Sequence, residues 1–197
     1  MYNCLLNLSV SGTYTAPWII SVRQTLDDCG LSYIWLDQRF ENIKGLKLLV
    51  EQRLKDQFLQ KWHSELQGMT SCDFYREIKQ VFKVEKYLSI ENVKIRQAIC
   101  NLRLSNNRIP KVTGRYKSIE RNKRFCNLCS GDLLGDEYHV ILECKNETIV
   151  TRRNSLLPKY YVHRPSMFKC LSILQTDNQK LLYKLGCYLN AVLPLFR

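Results

Sequence analysis

The chain has 197 residues and a net charge of +12, with 45% hydrophobic and 24% charged residues. That composition excludes wholesale disorder and suits one ordinary domain, or a core with a small module attached. No apolar run approaches 18 residues, so no membrane-spanning helix and no membrane partner are predicted.

The opening text, "MYNCLLNLSVSGTYTAPW", lacks the basic segment and long apolar run of a secretory signal. An intracellular location is therefore expected, nuclear or cytoplasmic and not secreted. In such a reducing compartment the nine cysteines read as thiols or metal ligands, and their odd number forbids complete intrachain pairing. A strongly basic balance favours acidic partners, nucleic acid above all.

In chain order, Pro17 opens a short helix on Trp18, Ile19, Val22 and Leu26, and Cys29-Gly30 closes it. Leu46, Val50, Leu54, Phe58, Trp62 and Leu66 then recur every four residues, opposite Lys47, Glu51 and Lys55. This pattern predicts a long amphipathic helix over 43–67, stopped by Gly68. Phe74, Ile78 and Phe82 mark a third helical segment. Val93, Ala98, Ile99 and Leu102 mark a fourth over 90–104. Positions 105–117 lose the pattern and are predicted as an extended loop. Beyond the cysteine cluster, 167–174 and 180–196 read as helices. Strand evidence is confined to "YHVIL". The expected fold is mainly α, a helical domain with a small irregular zinc-binding module between helices. Its parts are a helical region (1–104), a basic loop with the metal module (105–146), and C-terminal helices (147–197). His63 and His163 are read as ordinary surface or core histidines.

Cys126, Cys129, His139 and Cys144 form the pattern C-x2-C-x9-H-x4-C. A two-residue gap lets a tight turn aim both sulfurs at one point, and thiolate with imidazole is the donor set of structural zinc. Asp132, Gly135 and Asp136 make the spacer turn-rich, so that it folds back. The spacing predicts a closed Zn²⁺ site, structural in role because no position is left for water. A redox reading of Cys126 and Cys129 would need a thioredoxin-like context that is absent. Glu137 and Glu143 read as solvated or supporting acids.

Between positions 94 and 124 the chain carries ten Lys or Arg and one acid, Glu120. Arg103, Arg108, Lys111, Arg115, Lys117, Arg121, Lys123 and Arg124 are assigned to phosphate contact. Tyr116 is assigned to base stacking, with Phe125 beside it. Arg152, Arg153, Lys159, Arg164 and Lys169 extend the positive field.

These residues together resemble the C-terminal region of non-LTR (LINE-type) retrotransposon reverse transcriptases. The likeness rests on Arg103-Leu104, Arg108-Ile109-Pro110, Thr113-Gly114-Arg115-Tyr116, Cys126, Cys129, Gly135-Asp136-Glu137, His139 and Cys144. Looser matches are "KVEKYL" and Gln60-Lys61-Trp62, so that the similarity runs from Trp18 to Leu174. Ile109 departs from the commoner Leu. The resemblance implies a truncated tail region that helps bind template RNA or target DNA, without the enzyme. The family's aromatic-x-Asp-Asp turn is missing. Asp27-Asp28 lies on a predicted helix without the aromatic, and no nuclease constellation is seen. Two other readings stand beside this one: a zinc-stabilised protein–protein interaction module, and a catalytic remnant, which the missing carboxylates disfavour.

Overall fold

The structure is a computed structural model that describes residues 16–37, 42–129 and 131–196. It is mainly α, as the sequence pattern predicts, with a cysteine–histidine cluster between helices. Among the described residues no strand forms; the only β feature is a single antiparallel bridge, Phe125 to Leu134. No described helix is long and apolar enough to cross a membrane. The chain divides into two compact units, Met1–Glu65 and Leu66–Arg197.

The first unit contains α1 (Pro17–Asp28), α2 (Ser32–Asp37) and most of α3 (Ile43–Gly68). Its core gathers Ile19, Leu26, Cys29, Leu31, Ile34 and Trp35, with Leu46 and Val50 of α3 packed on it. Helix α1 begins on Pro17 and ends where Gly30 takes φ +68°. There the Leu31 N–H reaches the Leu26 carbonyl at 2.7 Å and the Gly30 N–H reaches Asp27 at 2.9 Å. This is a Schellman closure, in which glycine supplies the left-handed turn and Leu31 folds back to join Leu26 in the core.

Helix α3 forms as predicted, but its apolar row does not make one buried face: Leu54 is 45% and Phe58 50% exposed. Steps of four residues advance about 400°, so a row of six such positions winds about 200° around the helix. No flat core can receive all of it.

The second unit holds the remaining helices. These are α4 (Asp73–Ile78), α5 (Val93–Arg103), α6 (Pro110–Tyr116), α7 (Glu147–Leu156), α8 (Lys159–Val162), α9 (Met167–Gln175) and α10 (Gln179–Val192). Short 3₁₀ turns and one π-helical turn, His139–Glu143, lie between them. Polar side chains fix the starts of α5, α7, α9 and α10. Asn92, Asn146, Ser166 and Asn178 each accept a backbone N–H of the first turn, at 3.1–3.3 Å, and such caps are worth about 1 kcal/mol each.

Helices α5 and α10 form the centre of this unit, with Ile99, Leu102, Leu182, Leu185 and Leu189 fully buried. They approach closely at Gly186. A Cβ there would lie 2.3 Å from Ile95 Cγ2 and 3.0 Å from the Ile95 carbonyl oxygen, so only glycine fits without moving a helix.

Three sequence expectations are corrected. Positions 105–117 are not an extended loop: Pro110 starts α6, and Ile109 and Val112 bury on the core. Pro fits a helix's first turn, and two buried apolar residues three apart hold one side of it. The third helical segment stops at Ile78, so that Phe82, outside it, is 52% exposed. "YHVIL" is not a strand but leads into the π-helical turn, with Val140, Ile141 and Leu142 buried together. An alternating strand would have placed one of those three in solvent. The metal module also has no core of its own. Cys126, Val140 and Cys144 belong to the same cluster as Ile99 and Leu185.

Candidate metal centre

The first ligand pair is positioned by the short hairpin around the Phe125–Leu134 bridge. The Cys126 N–H donates to the Leu133 carbonyl and the Gly135 N–H to the Arg124 carbonyl, both at 2.9 Å. These bonds return the chain after the turn that carries Cys126 and Cys129. Gly135 then rests on Pro110, where a Cβ would come within 2.6 Å of the proline ring. Its lack of a side chain lets the hairpin seat on α6.

The second pair is positioned by the π-helical turn. The Asp136 carboxylate accepts the His139 N–H at 2.8 Å, and the Cys144 N–H donates to the His139 carbonyl at 2.7 Å. That i to i+5 bond is the π spacing. It explains how residues five apart, which would diverge on an α-helix, present their side chains to one point. The Tyr188 hydroxyl, buried on α10, donates to the Val140 carbonyl at 2.6 Å and pins the turn to the core. The Asn146 amide donates to the Leu128 carbonyl at 3.0 Å, tying the two ligand pairs together.

One ligand atom from each of Cys126, Cys129, His139 and Cys144 lies within 4.8 Å of the others. Cys126 Sγ is 3.9 Å from Cys144 Sγ, and Cys129 Sγ is 3.4 Å from His139 Nε2. Bond lengths of about 2.3 Å to sulfur and 2.0–2.1 Å to nitrogen would separate tetrahedral ligands by about 3.8 and 3.5 Å. The cluster is therefore the right size to hold a metal ion.

Its electrostatics match. Burial raises the Cys144 thiol to about 12; the Asn146 N–H opposes this, and the sulfurs of Cys126 and Cys129 add to it. Burial also acts to raise Cys129, but N–H groups of Gly131 and Lys145 and the neighbouring thiols bring it below its ordinary value. Burial lowers His139, keeping the imidazole in its neutral, ligating form. Crowded buried thiols without a cation are costly, and a divalent ion reverses that cost. A divalent ion with three thiolates carries one net negative charge. The buried Arg153 guanidinium stands beside it, donating to the Cys144 carbonyl at 2.9 Å, and makes no carboxylate ion pair among the described residues. The Nδ1 atom of His139 is buried without a hydrogen-bond partner.

The residues assigned to nucleic acid divide into two groups. Arg103 is not a surface cation. It is 3% exposed, pairs with Glu85 at 2.5 Å, donates to the Leu174 carbonyl at 2.6 Å and lies over the Tyr87 ring. Lys111 is also largely buried, 2.9 Å from Glu137 and 3.4 Å from Asp73. Arg124 spends its guanidinium on the carbonyls of Ile119 and Lys111, each at 2.9 Å, and packs where a side chain on Gly114 would clash. Arg103 thus ties α5 to Glu85, Tyr87 and Leu174, while Lys111 and Arg124 join α6 to the metal module.

Arg108, Lys117, Arg121 and Lys123 are exposed, Arg115 is half-buried beside the Tyr116 ring, and Tyr116 itself is 77% exposed. Lys123 pairs with Glu120 at 2.8 Å and Arg121 with Asp73 at 3.4 Å. Glu137 is not a solvated acid: it is 1% exposed, and burial pushes its carboxyl up while Lys111 opposes the shift. The sequence left Glu137 open between a solvated and a supporting acid, because a lone Glu in a turn-rich spacer carries no periodic signal of burial. Asp73, the other partner of Lys111, was missed for its distance along the chain.

No protein-family model, no curated protein and no solved structure matches this chain.

Proposed function

We propose that the protein is a zinc-organised nucleic-acid-binding module, of the kind found in the tails of retroelement reverse transcriptases, and that it performs no catalysis itself. The observation that carries this reading is the seating of a basic, aromatic-bearing segment directly on the metal module. Gly135 rests against Pro110 of α6, and Arg124 fastens the end of the basic stretch to α6 through Lys111. The ion would be Zn²⁺, held by Cys126, Cys129, His139 and Cys144, because three thiolates and an imidazole in a closed tetrahedron suit that metal. All four positions are filled by protein, so the ion is structural.

Arg108, Arg115 and Lys117, with Arg121 and Lys123, would meet phosphates while Tyr116 stacks on a base. Among the described residues the one group of three or more metal-capable side chains is the Cys126, Cys129, His139 and Cys144 cluster, so that Asp27 and Asp28 join no multi-carboxylate site of the kind two-metal chemistry uses, which supports a binding role.

The test is a salt titration of the zinc-loaded chain with single-stranded RNA and with duplex DNA. About five phosphate contacts to a single strand would give a slope of log K against log salt of about −3.5, roughly a hundredfold loss of affinity between 50 and 200 mM. A second reading, a protein-interaction module, is favoured by the exposed apolar side chains Leu36, Ile43 and Leu48 in the first unit. Binding carried by such a surface would be nearly indifferent to salt, and that outcome would replace the nucleic-acid reading.

A further inference from the structure

A cleft of about 260 Å³ opens between α4 and the basic segment, and among its walls are Asp73, Ser105, Lys111, Arg115, Arg121 and Arg124. Four cations meet here, and among the described residues two carboxylates answer them. One, Glu137, is buried behind Lys111 and bonds it tightly at 2.9 Å, with the Ser105 hydroxyl donating to its other oxygen at 3.3 Å.

The other, Asp73, accepts the Phe74 N–H at 2.9 Å but is held loosely by its cations. It lies 3.4 Å from Lys111 and 3.4 Å from Arg121, beyond the 2.7–2.9 Å of a strong charge-assisted bond. Burial works against its ionised form, but Lys111, the Phe74 N–H and Arg121 together keep its carboxyl below the usual carboxylate range. Asp73 is therefore an anion already seated in a cationic cleft, at a distance that leaves Arg121 under-satisfied. Arg115 has no carboxylate partner among the described residues; its guanidinium rests over Tyr116 at 5.2 Å.

We infer that this cleft is a phosphate pocket, which takes one phosphate of a nucleic-acid strand between Lys111, Arg115 and Arg121, and that Asp73 is the internal stand-in it displaces. The two non-bridging oxygens of a strand phosphate would take the place of the two Asp73 oxygens and, each accepting from more than one donor, can satisfy Arg115 as well as the present partners of Asp73. Arg124, locked to backbone carbonyls, shapes the wall and adds its charge. The exposed Tyr116 ring next to Arg115 then stands where the adjoining base would stack. This deepens the proposed function by naming which cations take the phosphate, and it rests on that reading for the source of the phosphate.

The test uses the full zinc-loaded chain and two probes. A fluorescent single-stranded oligouridylate of twelve nucleotides reports strand binding, and inorganic phosphate, followed by the Nε resonances of Arg115 and Arg121, reports the pocket alone. Asp73→Asn keeps an acceptor for the Phe74 N–H and should tighten oligonucleotide binding about fivefold. Arg121→Gln should weaken it and lower the salt slope by about 0.7. Lys180→Gln, also exposed but outside the cleft and outside the basic segment, should do clearly less.

If Asp73→Asn weakens binding or leaves it unchanged, or if Arg121→Gln and Lys180→Gln are equivalent, the pocket is wrong while the broader binding function stands. Oligonucleotide binding that is absent while phosphate still shifts both arginines would keep the pocket and overturn the proposed function. Silence from both probes overturns the two together.

Discussion

Replacing Cys144 with Ser should remove the metal and lower the melting temperature of the second unit by on the order of 15 °C. Cys144 is fully buried in the same core as Ile99 and Leu185, and its backbone closes the π-helical turn. Structural zinc sites contribute on the order of 10 kcal/mol in peptides that have no other core. This unit retains the α5–α10 core, so a loss of about 5 kcal/mol is the reasonable expectation. At a few degrees per kcal/mol for a domain of this size, that gives the stated shift. Cys187→Ala is the control: Cys187 packs on the core outside the cluster and should cost about 1 kcal/mol with the metal retained. Calorimetry with metal analysis on both variants checks the prediction. Equal shifts in the two, or a Cys144→Ser protein that still holds its ion, would contradict the ligand assignment.

The second large effect concerns Arg103. As a phosphate ligand it could be replaced by Ala with little loss of stability. Its burial against Glu85, Leu174 and Tyr87 predicts otherwise. Removing one partner of a buried ion pair costs about 3–5 kcal/mol, because the other charge is left uncompensated. Here Lys79, 3.4 Å from Glu85, still neutralises part of that charge, so the loss should fall toward the lower end, about 3 kcal/mol. Chemical denaturation of Arg103→Ala measures it. Oligonucleotide affinity per folded molecule should stay within about twofold of wild type, since no phosphate contact is lost. A stable variant with greatly weakened binding would return Arg103 to the interface.

The contrast between Arg103 and Arg108 shows what the sequence could and could not reveal. Both stand in one basic stretch, and composition treats them alike. Arg103 lies on α5 one position beyond the fully buried Leu102, and its partner Glu85 comes from a separate turn, outside any local pattern. Only tertiary packing distinguishes it from an exposed cation. The cysteine cluster was legible because ligand chemistry fixes residue type and approximate spacing whatever the surroundings. Its backbone was not, since an apolar run such as "VIL" is compatible with either a strand or a buried helical turn.

The long helix α3 was legible from its repeat, but the repeat of four overstated its buried face, for the geometric reason that four residues exceed one turn. Helix α6 was hidden for another reason. Its seven residues include Gly114 and Thr113, weak helix formers, and the helix is held by Pro110, by the buried Ile109 and Val112, and by Arg124 folding over Gly114.

The central claim is that one zinc ion organises the surface that binds nucleic acid. Elemental analysis of the full chain, purified without chelator and without added metal, tests it most directly. The account predicts close to one zinc per chain, released together with oligonucleotide binding when a strong chelator is added. A folded chain that carries no metal, or that binds the oligonucleotide equally well once stripped, would contradict it.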